Sequence, residues 1–284
     1  MNNLSKYGLL IILLVSLGLC QIKGQSEHAY AFDHYSNEEG FNQNTVFSIE
    51  QDRYGTVWLG TSNGLIKYDG YSFQDVSWDP EYQADVYHGL IFDIHCDTRG
   101  LIWIASSIGL NIYHPDKDRF FKITSDTLKS LRNTYEETDG SMWVVGNKFV
   151  ARASPEVSGD SLSVHWSPNL LPPAHSDIYV VDIEKINENL YLLATTAGLY
   201  RMSLAEGGLE VDVDLEEIIP ITNISCLEMH NNLICIGTHE GLYKTVLEGN
   251  KLKLFNKHLH EKSDPSSLAS NYITDLLVGN DNRL

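Results

Sequence analysis

Eleven histidines and thirty-eight acids are the obvious sources of chemistry in this chain. His258 and His260 stand two apart, between Lys257 and Glu261, and would share one face of a strand. No third ligand stands at metal spacing, and neither His-Glu-x-x-His nor Cys-x-x-Cys occurs, so no metal site and no cofactor are expected. His95 and His114 read as packed or surface residues. The pairs Glu38-Glu39, Glu136-Glu137 and Glu216-Glu217 raise the two-carboxylate chemistry of glycoside hydrolysis. Adjacent residues of a strand point to opposite faces, so each pair is poorly placed for joint acid and base work and reads as solvated surface. No Gly-x-Ser-x-Gly elbow, phosphate-binding Gly-Lys-Ser/Thr loop or dinucleotide fingerprint is present. No catalytic residue is assigned, and the ligand-binding residues stay unknown at this point. Asn223-Ile224-Ser225 fits a glycosylation sequon but begins an expected strand.

The glycines and tryptophans belong to a larger pattern. Asp52 and Asp97 each precede a glycine by three, Trp58 and Trp103 each follow that glycine by three, and Gly64 and Gly109 follow the Trp by six. Asp139-Gly140-Ser141-Met142-Trp143 keeps the turn and the Trp, with Phe149 at the later glycine position. Leu192 with Gly198, and Cys235 with Gly241, keep the spacing without the Trp. The anchors at 58, 103, 143, 192 and 235 therefore recur every 40 to 49 residues. Self-similarity at this period signals a repeat architecture. Val46–Gln51 reads as a first strand, an Asp-x-x-Gly turn follows, and the anchor lies on the returning strand. Asn63-Gly64 turns the chain into a third strand over Leu65–Tyr68, and Phe73 (Phe120-Phe121 in the next unit) starts a fourth. Four short strands per unit predict an all-β fold, a β-propeller of four-stranded blades. Dense glycine and the lack of i, i+3, i+4 stripes exclude a helical array. The three tryptophans should pack between blades, with sugar stacking as the alternative.

Composition agrees. Hydrophobic residues make up 43% and charged residues 20%, which excludes wholesale disorder. A formal charge of −18 disfavours nucleic acid as a partner. Lys6 precedes the uncharged run Tyr7–Cys20. As a helix that run reaches about 21 Å, short of the roughly 30 Å hydrocarbon core, so residues 1–24 read as a secretory signal peptide and 25–284 as the propeller. Cleavage could follow Cys20 or Gly24. Acylation of Cys20 is the lesser reading, because bulky Leu19 stands where a small residue is expected. Cys96, Cys226 and Cys235 remain, an odd number. Cys226 and Cys235 flank an expected Asn231-Asn232 turn. A cross-strand bridge is conceivable, but both read as small buried apolar residues.

The string Asp-x-x-Gly-x-x-Trp-Leu-Gly-Thr-x-x-Gly-Leu-x-x-Tyr-Asp-Gly, complete from Asp52 to Gly70, resembles the two-component regulator propeller repeat. Phe32-Asp33-His34-Tyr35 with Gly40–Val46 is similar to the entry into a first blade, and Asp264–Ile273 to the link into a new one. The resemblance covers about residues 30–284. It implies the periplasmic sensor region of a Bacteroidetes hybrid two-component system histidine kinase, exported and anchored in the inner membrane when full-length. It further implies two propellers of about seven blades, a β-sandwich, a membrane helix, a kinase core, and often a receiver and an AraC-like DNA-binding domain. The implied signal is an oligosaccharide released from polysaccharide; the implied partners are a second propeller, the kinase module or a second copy of the chain.

Ile273 takes the place of Val46 and Ile91, each twelve before its Trp, so the next anchor would fall at 285. The expectation is five full blades plus part of a sixth: the N-terminal fragment of a longer sensor, itself without kinase activity. A propeller lyase or glycosidase, and a scaffold or adhesion propeller, are the alternatives. By analogy a ligand would be read by inter-strand loops at the axis, with Tyr82, Tyr87, His88, Tyr135 and His175 as loop candidates but not assigned sites.

Overall fold

Each Asp-x-x-Gly unit closes a hairpin by the chemistry its residues suggest. Asp52 accepts the N–H groups of Tyr54 and Thr56 on Oδ1, at 2.9 and 3.0 Å, while Gly55 takes a left-handed φ of +86°. Asp97 repeats this with the N–H groups of Arg99 and Leu101, and Gly100 sits at +82°. The aspartate thus replaces backbone partners that the tight turn removes.

The computed structural model describes residues 34–36, 41, 43, 45–82, 85–125, 127–167, 171, 178–204, 216–219, 221–230, 233–248 and 251–278. The chain divides into units Met1–Ser36 and Asn37–Leu284. The first contains the expected signal peptide, which lies outside the described residues, as does most of the segment similar to a blade entry; all that follows concerns the second.

Five antiparallel four-stranded sheets follow one another, each a simple meander. The first contains β1 (Val46–Gln51), β2 (Val57–Thr61), β3 (Gly64–Tyr68) and β4 (Phe73–Asp75). The second contains β5 (Ile91–Cys96), β6 (Ile102–Ser106), β7 (Leu110–His114) and β8 (Arg119–Ile123). The third contains β9 (Leu131–Glu136), β10 (Met142–Gly146), β11 (Phe149–Ser158) and β12 (Ser161–Trp166). The fourth contains β13 (Val180–Asn187), β14 (Leu190–Thr195), β15 (Leu199–Ser203) and β16 (Glu216–Ile219). The fifth contains β17 (Ile224–His230), β18 (Leu233–Thr238), β19 (Gly241–Glu248) and β20 (Lys251–His258). These are the blades of a β-propeller. All five anchors, including Leu192 and Cys235, lie on the second strand of a blade.

The core lies between blades. Trp58 joins Ile91, Ile102, Tyr113 and Phe120 between blades one and two. Trp103, Leu110, Leu131 and Val144 fill the next gap, Trp143, Val180 and Tyr191 the one after, and Leu192, Leu199, Ile224 and Ile236 the last. All three tryptophans are at most 1% exposed, so packing holds and sugar stacking on them does not. Full burial of a side chain this large is worth several kcal/mol, of order ~3. Two residues past each anchor stand Gly60, Ala105, Val145, Ala194 and Gly237. A Cβ on Gly60 would approach Cγ2 of Ile91 to 2.9 Å, and one on Gly237 would approach Cγ2 of Ile273 to 2.8 Å. Ile273 also donates its N–H to Thr238 O at 2.9 Å. The start of a sixth unit therefore seats against blade five as blade two seats against blade one.

The turn after four of the five anchor strands carries a hydroxyl. Thr61, Ser106, Thr195 and Thr238 each donate to the carbonyl of the glycine three residues on, Gly64, Gly109, Gly198 and Gly241, at 2.7–2.8 Å. Blade three departs at both places together, with Gly146 for the hydroxyl and Phe149 for the glycine; there Lys148 takes the positive φ of 59°. Among the described residues no helix is long and apolar enough to cross a membrane.

Candidate functional site

The first strands pack side by side in the order β1, β5, β9, β13, β17, so five inner strands line the propeller axis. Their equivalent residues form successive layers. The third residues are Ser48, Asp93, Asn133, Asp182 and Cys226. Three of these bond across to the next blade: Ser48 Oγ accepts Ile94 N–H at 3.0 Å, Asp93 Oδ2 accepts Thr134 N–H at 2.8 Å, and Asp182 Oδ2 accepts Leu227 N–H at 2.7 Å. The fifth residues repeat the device: Glu50 accepts Cys96 N–H at 3.0 Å, Glu184 that of Met229, and Glu228 that of Val278.

These carboxyls are crowded and poorly hydrated. Desolvation pushes Asp182 up to about 8, although Leu227 and Ile183 donate N–H groups to it. Desolvation and then the like charge of Glu228 push Glu184 up to about 7. Burial likewise raises Asp93, Glu50 and Glu228. The inner acids act as inter-blade clamps, and of these Asp182 and Glu184 are pushed far enough to hold protons near neutral pH.

The second residues of the inner strands lie at the mouth of the axis: Phe47, Phe92, Arg132, Val181 and Ser225, with Thr274 in the equivalent place after Ile273. All six line one cleft of about 420 Å³, joined by Thr196, Asn223, Ile224, His239 and Tyr272. Phe47 and Phe92 stand 5.6 Å apart, centroid to centroid. The Arg132 guanidinium lies 3.8 Å from the Phe92 ring centre. His239 stacks on Tyr272 at 4.1 Å. Aromatic faces, a guanidinium, hydroxyls and an amide thus converge from all five blades, the usual make-up of a small-molecule site.

A second cleft of about 430 Å³ lies against Tyr87, Ile108, Thr124, Ser125 and Lys129. Here the Tyr87 hydroxyl is already spent on Ile123 O at 3.3 Å, and Lys122 sits over its ring. Of the loop candidates, Tyr82 donates to Asp118 at 2.8 Å and packs edge-on against Phe120. His88 packs against Trp78 at 4.9 Å, and Tyr135 is half-buried as the fifth residue of β9. His175 lies outside the described residues. Tyr82, Tyr87, His88 and Tyr135 are not among the residues that line the mouth. Its residues escaped sequence reasoning, because Phe, Phe, Arg, Val and Ser at equivalent positions show no repeat.

The solvated-surface reading fails at both members of Glu136-Glu137: the Glu136 side chain is only 11% exposed. Glu137 is not solvated surface but 6% exposed. It accepts Trp143 Nε1–H at 2.8 Å, as Asp52 accepts Trp58 at 2.9 Å and Asp97 accepts Trp103 at 3.1 Å. It also accepts Lys185 Nζ at 2.7 Å and the Tyr191 hydroxyl. Burial raises its carboxyl, but Lys185, Tyr191 and Trp143 outweigh burial and hold it below the usual range. Glu136 accepts Thr98 N–H and Oγ1. Glu38-Glu39 lie outside the described residues, as do the side chains of Glu216-Glu217. His260 donates its Nδ1–H to Leu268 O at 2.5 Å. Cys226 and Cys235 are free thiols, 5% and 1% exposed, and their strands pair Cys226 with Gly237 and Cys235 with Glu228.

Comparison with known proteins agrees with this architecture. The family model for the two component regulator propeller matches residues 40–63. Histidine kinase P4 of Formosa agariphila is 32% identical over 79 residues, which is 28% of this chain and 6% of that protein. The extracellular domain of the putative hybrid two component system BT3049 from B. thetaiotaomicron superposes with a TM-score of 0.64 at 17% identity, over 88% of this chain and 39% of that one. A catalytically inactive virginiamycin B lyase from Staphylococcus aureus superposes at 0.54 and 13% identity, over 76% of this chain and 71% of that one. This chain therefore spans a small part of its kinase relative and well under half of the first structural neighbour. The structural likenesses establish the propeller fold.

Proposed function

We propose that this chain is the ligand-sensing propeller of an exported two-component sensor, acting in the periplasm and taking an oligosaccharide at the mouth of its axis. The resemblance to the regulator repeat and to the extracellular domain supports the sensor role. One observation carries the ligand: exposed Phe47 and half-buried Phe92 stand beside Ser225, Thr274 and Asn223 in a single cleft lined from all five blades. Sugars present C–H faces that stack on aromatic rings and hydroxyls that exchange hydrogen bonds with short polar side chains. A ligand there touches the second residues of all five inner strands. It would change the blades' relative positions through the same strands that the acid clamps tie together. In the full-length protein that movement would pass to the second propeller and the membrane-linked kinase module.

Calorimetric titration of a polysaccharide-derived oligosaccharide panel tests this reading. At least one member should bind, and Phe92→Ala should weaken it about tenfold or more without lowering the melting temperature. Binding indifferent to Phe92→Ala would contradict the site. Steady conversion of a panel member to product would contradict the sensor role and favour a lyase or glycosidase.

A further inference from the structure

We infer that the ligand carries an anionic group, a uronate carboxylate or a sulfate ester, and that Arg132 pairs with it. This rests on the mouth being the ligand site, and it adds a charge to that ligand. The chain has 38 acids against 20 Lys and Arg, yet the residues lining the mouth include no Asp or Glu and one guanidinium. Five other described cations are paired with acids: Arg53 with Asp116, Arg99 with Asp97, Arg152 with Asp139, Lys185 with Glu137 and Lys253 with Glu248. Arg132 is half-buried, makes no ion pair with a described carboxylate, and lies over the ring of Phe92.

A cation partly withdrawn from water without a counter-charge is destabilising. Burial accordingly works against the charged form of Arg132, in a protein where an acid at almost any neighbouring position would have neutralised it. The contact with the Phe92 ring, 3.8 Å from its centre, holds the guanidinium without using its N–H donors. Those donors form a planar fork that matches two oxygens of a carboxylate or sulfate. The surrounding acids of the third layer, Asp93 and Asp182, are turned to Thr134 and Leu227 of the next blade. The mouth is therefore a cationic spot set on aromatic walls within an acidic molecule. That setting rejects most anions at long range and rewards one whose sugar rings also stack.

The test uses charge-matched pairs of probes: hexagalacturonate with its methyl ester, and a sulfated carrageenan hexasaccharide with its desulfated form. Each is titrated into the wild type, Arg132→Lys and Arg132→Gln at low and high salt, with melting temperatures recorded for all three proteins. One anionic member should bind about tenfold or more tighter than its neutral twin, more weakly at high salt. Arg132→Gln should abolish that preference, and Arg132→Lys should keep part of it. Which pair responds separates carboxylate from sulfate. Neutral members binding as tightly as anionic ones, or a preference that survives in Arg132→Gln, would overturn the charge inference and leave the mouth reading in place. Failure of every member to bind the wild type would overturn the oligosaccharide reading itself, and this inference with it.

Discussion

The carboxylate of Glu137 accepts the indole N–H of Trp143, six residues further along the chain, at 2.8 Å. The same bond, over the same six residues, joins Asp52 to Trp58 and Asp97 to Trp103. A buried indole needs a partner for its one donor, and the turn carboxylate supplies it while also shaping or flanking the turn. In blade three the longer side chain reaches further and collects Lys185 and Tyr191 of blade four. The third turn is thereby a cross-blade clamp as well as a turn.

Glu137→Ala should cost about 3 kcal/mol, since it strands a buried indole N–H, a tyrosine hydroxyl and a mostly buried ammonium at once. Glu137→Asp should cost less, because aspartate serves the indole in the first two blades. Chemical denaturation checks this order. A loss below about 1 kcal/mol for the alanine variant would mean the clamp is not holding blades three and four together.

Ser106 tests the second turn. Its hydroxyl donates to Gly109 O at 2.7 Å and accepts the N–H groups of Gly109 and Ile108, at 2.9 and 3.2 Å. Ser106→Ala should lower stability by about 1 to 2 kcal/mol. The matching change at Gly146 of blade three, Gly146→Ala, addresses a turn that never used a hydroxyl; there the added Cβ would meet Ser130 O at 2.5 Å, so any loss arises from crowding. Equal melting temperatures for wild type and Ser106→Ala would remove the hydroxyl from the account of the repeat.

The inner acids set the direction of the pH dependence. Glu184 titrates at about 7 when folded, above an ordinary carboxyl, so the folded state holds its proton more tightly than the unfolded state. Its contribution is then fully present at low pH, below the unfolded value, and is lost as pH rises through about 7. Between pH 5.5 and 8.5 the melting temperature should fall as pH rises. Glu184→Gln keeps an oxygen for Met229 N–H, should flatten that profile, and should gain about 1 to 2 kcal/mol at pH 8. A melting temperature that climbs with pH over this window would contradict the clamp's crowding.

The blades were legible because packing imposes a period. The first four anchors meet the next blade, and Trp58, Trp103, Trp143, Leu192 and Cys235 recur at nearly fixed spacing whatever their identity. The Asp-x-x-Gly turns were legible because only a short acceptor and a glycine fit them. Glu137 was hidden because Asp139-Gly140 beside it offers a more familiar turn, and an acid's burial depends on the distant Lys185 and Tyr191. The mouth was hidden for the opposite reason. Phe47, Phe92 and Arg132 occupy one structural position, but there the chain must present different chemistry from each blade, and nothing periodic marks it. Tyr82 and His88 were attractive as loop aromatics, yet their rings are consumed by Phe120 and Trp78.

The most direct measurement is a crystal structure of this chain grown with whichever oligosaccharide titrates most tightly. Density for sugar rings against Phe47 and Phe92, with a charged substituent on Arg132, is the expected result. Density instead in the Tyr87–Lys129 cleft, with the mouth of the axis filled only by water, would contradict the assignment of the site.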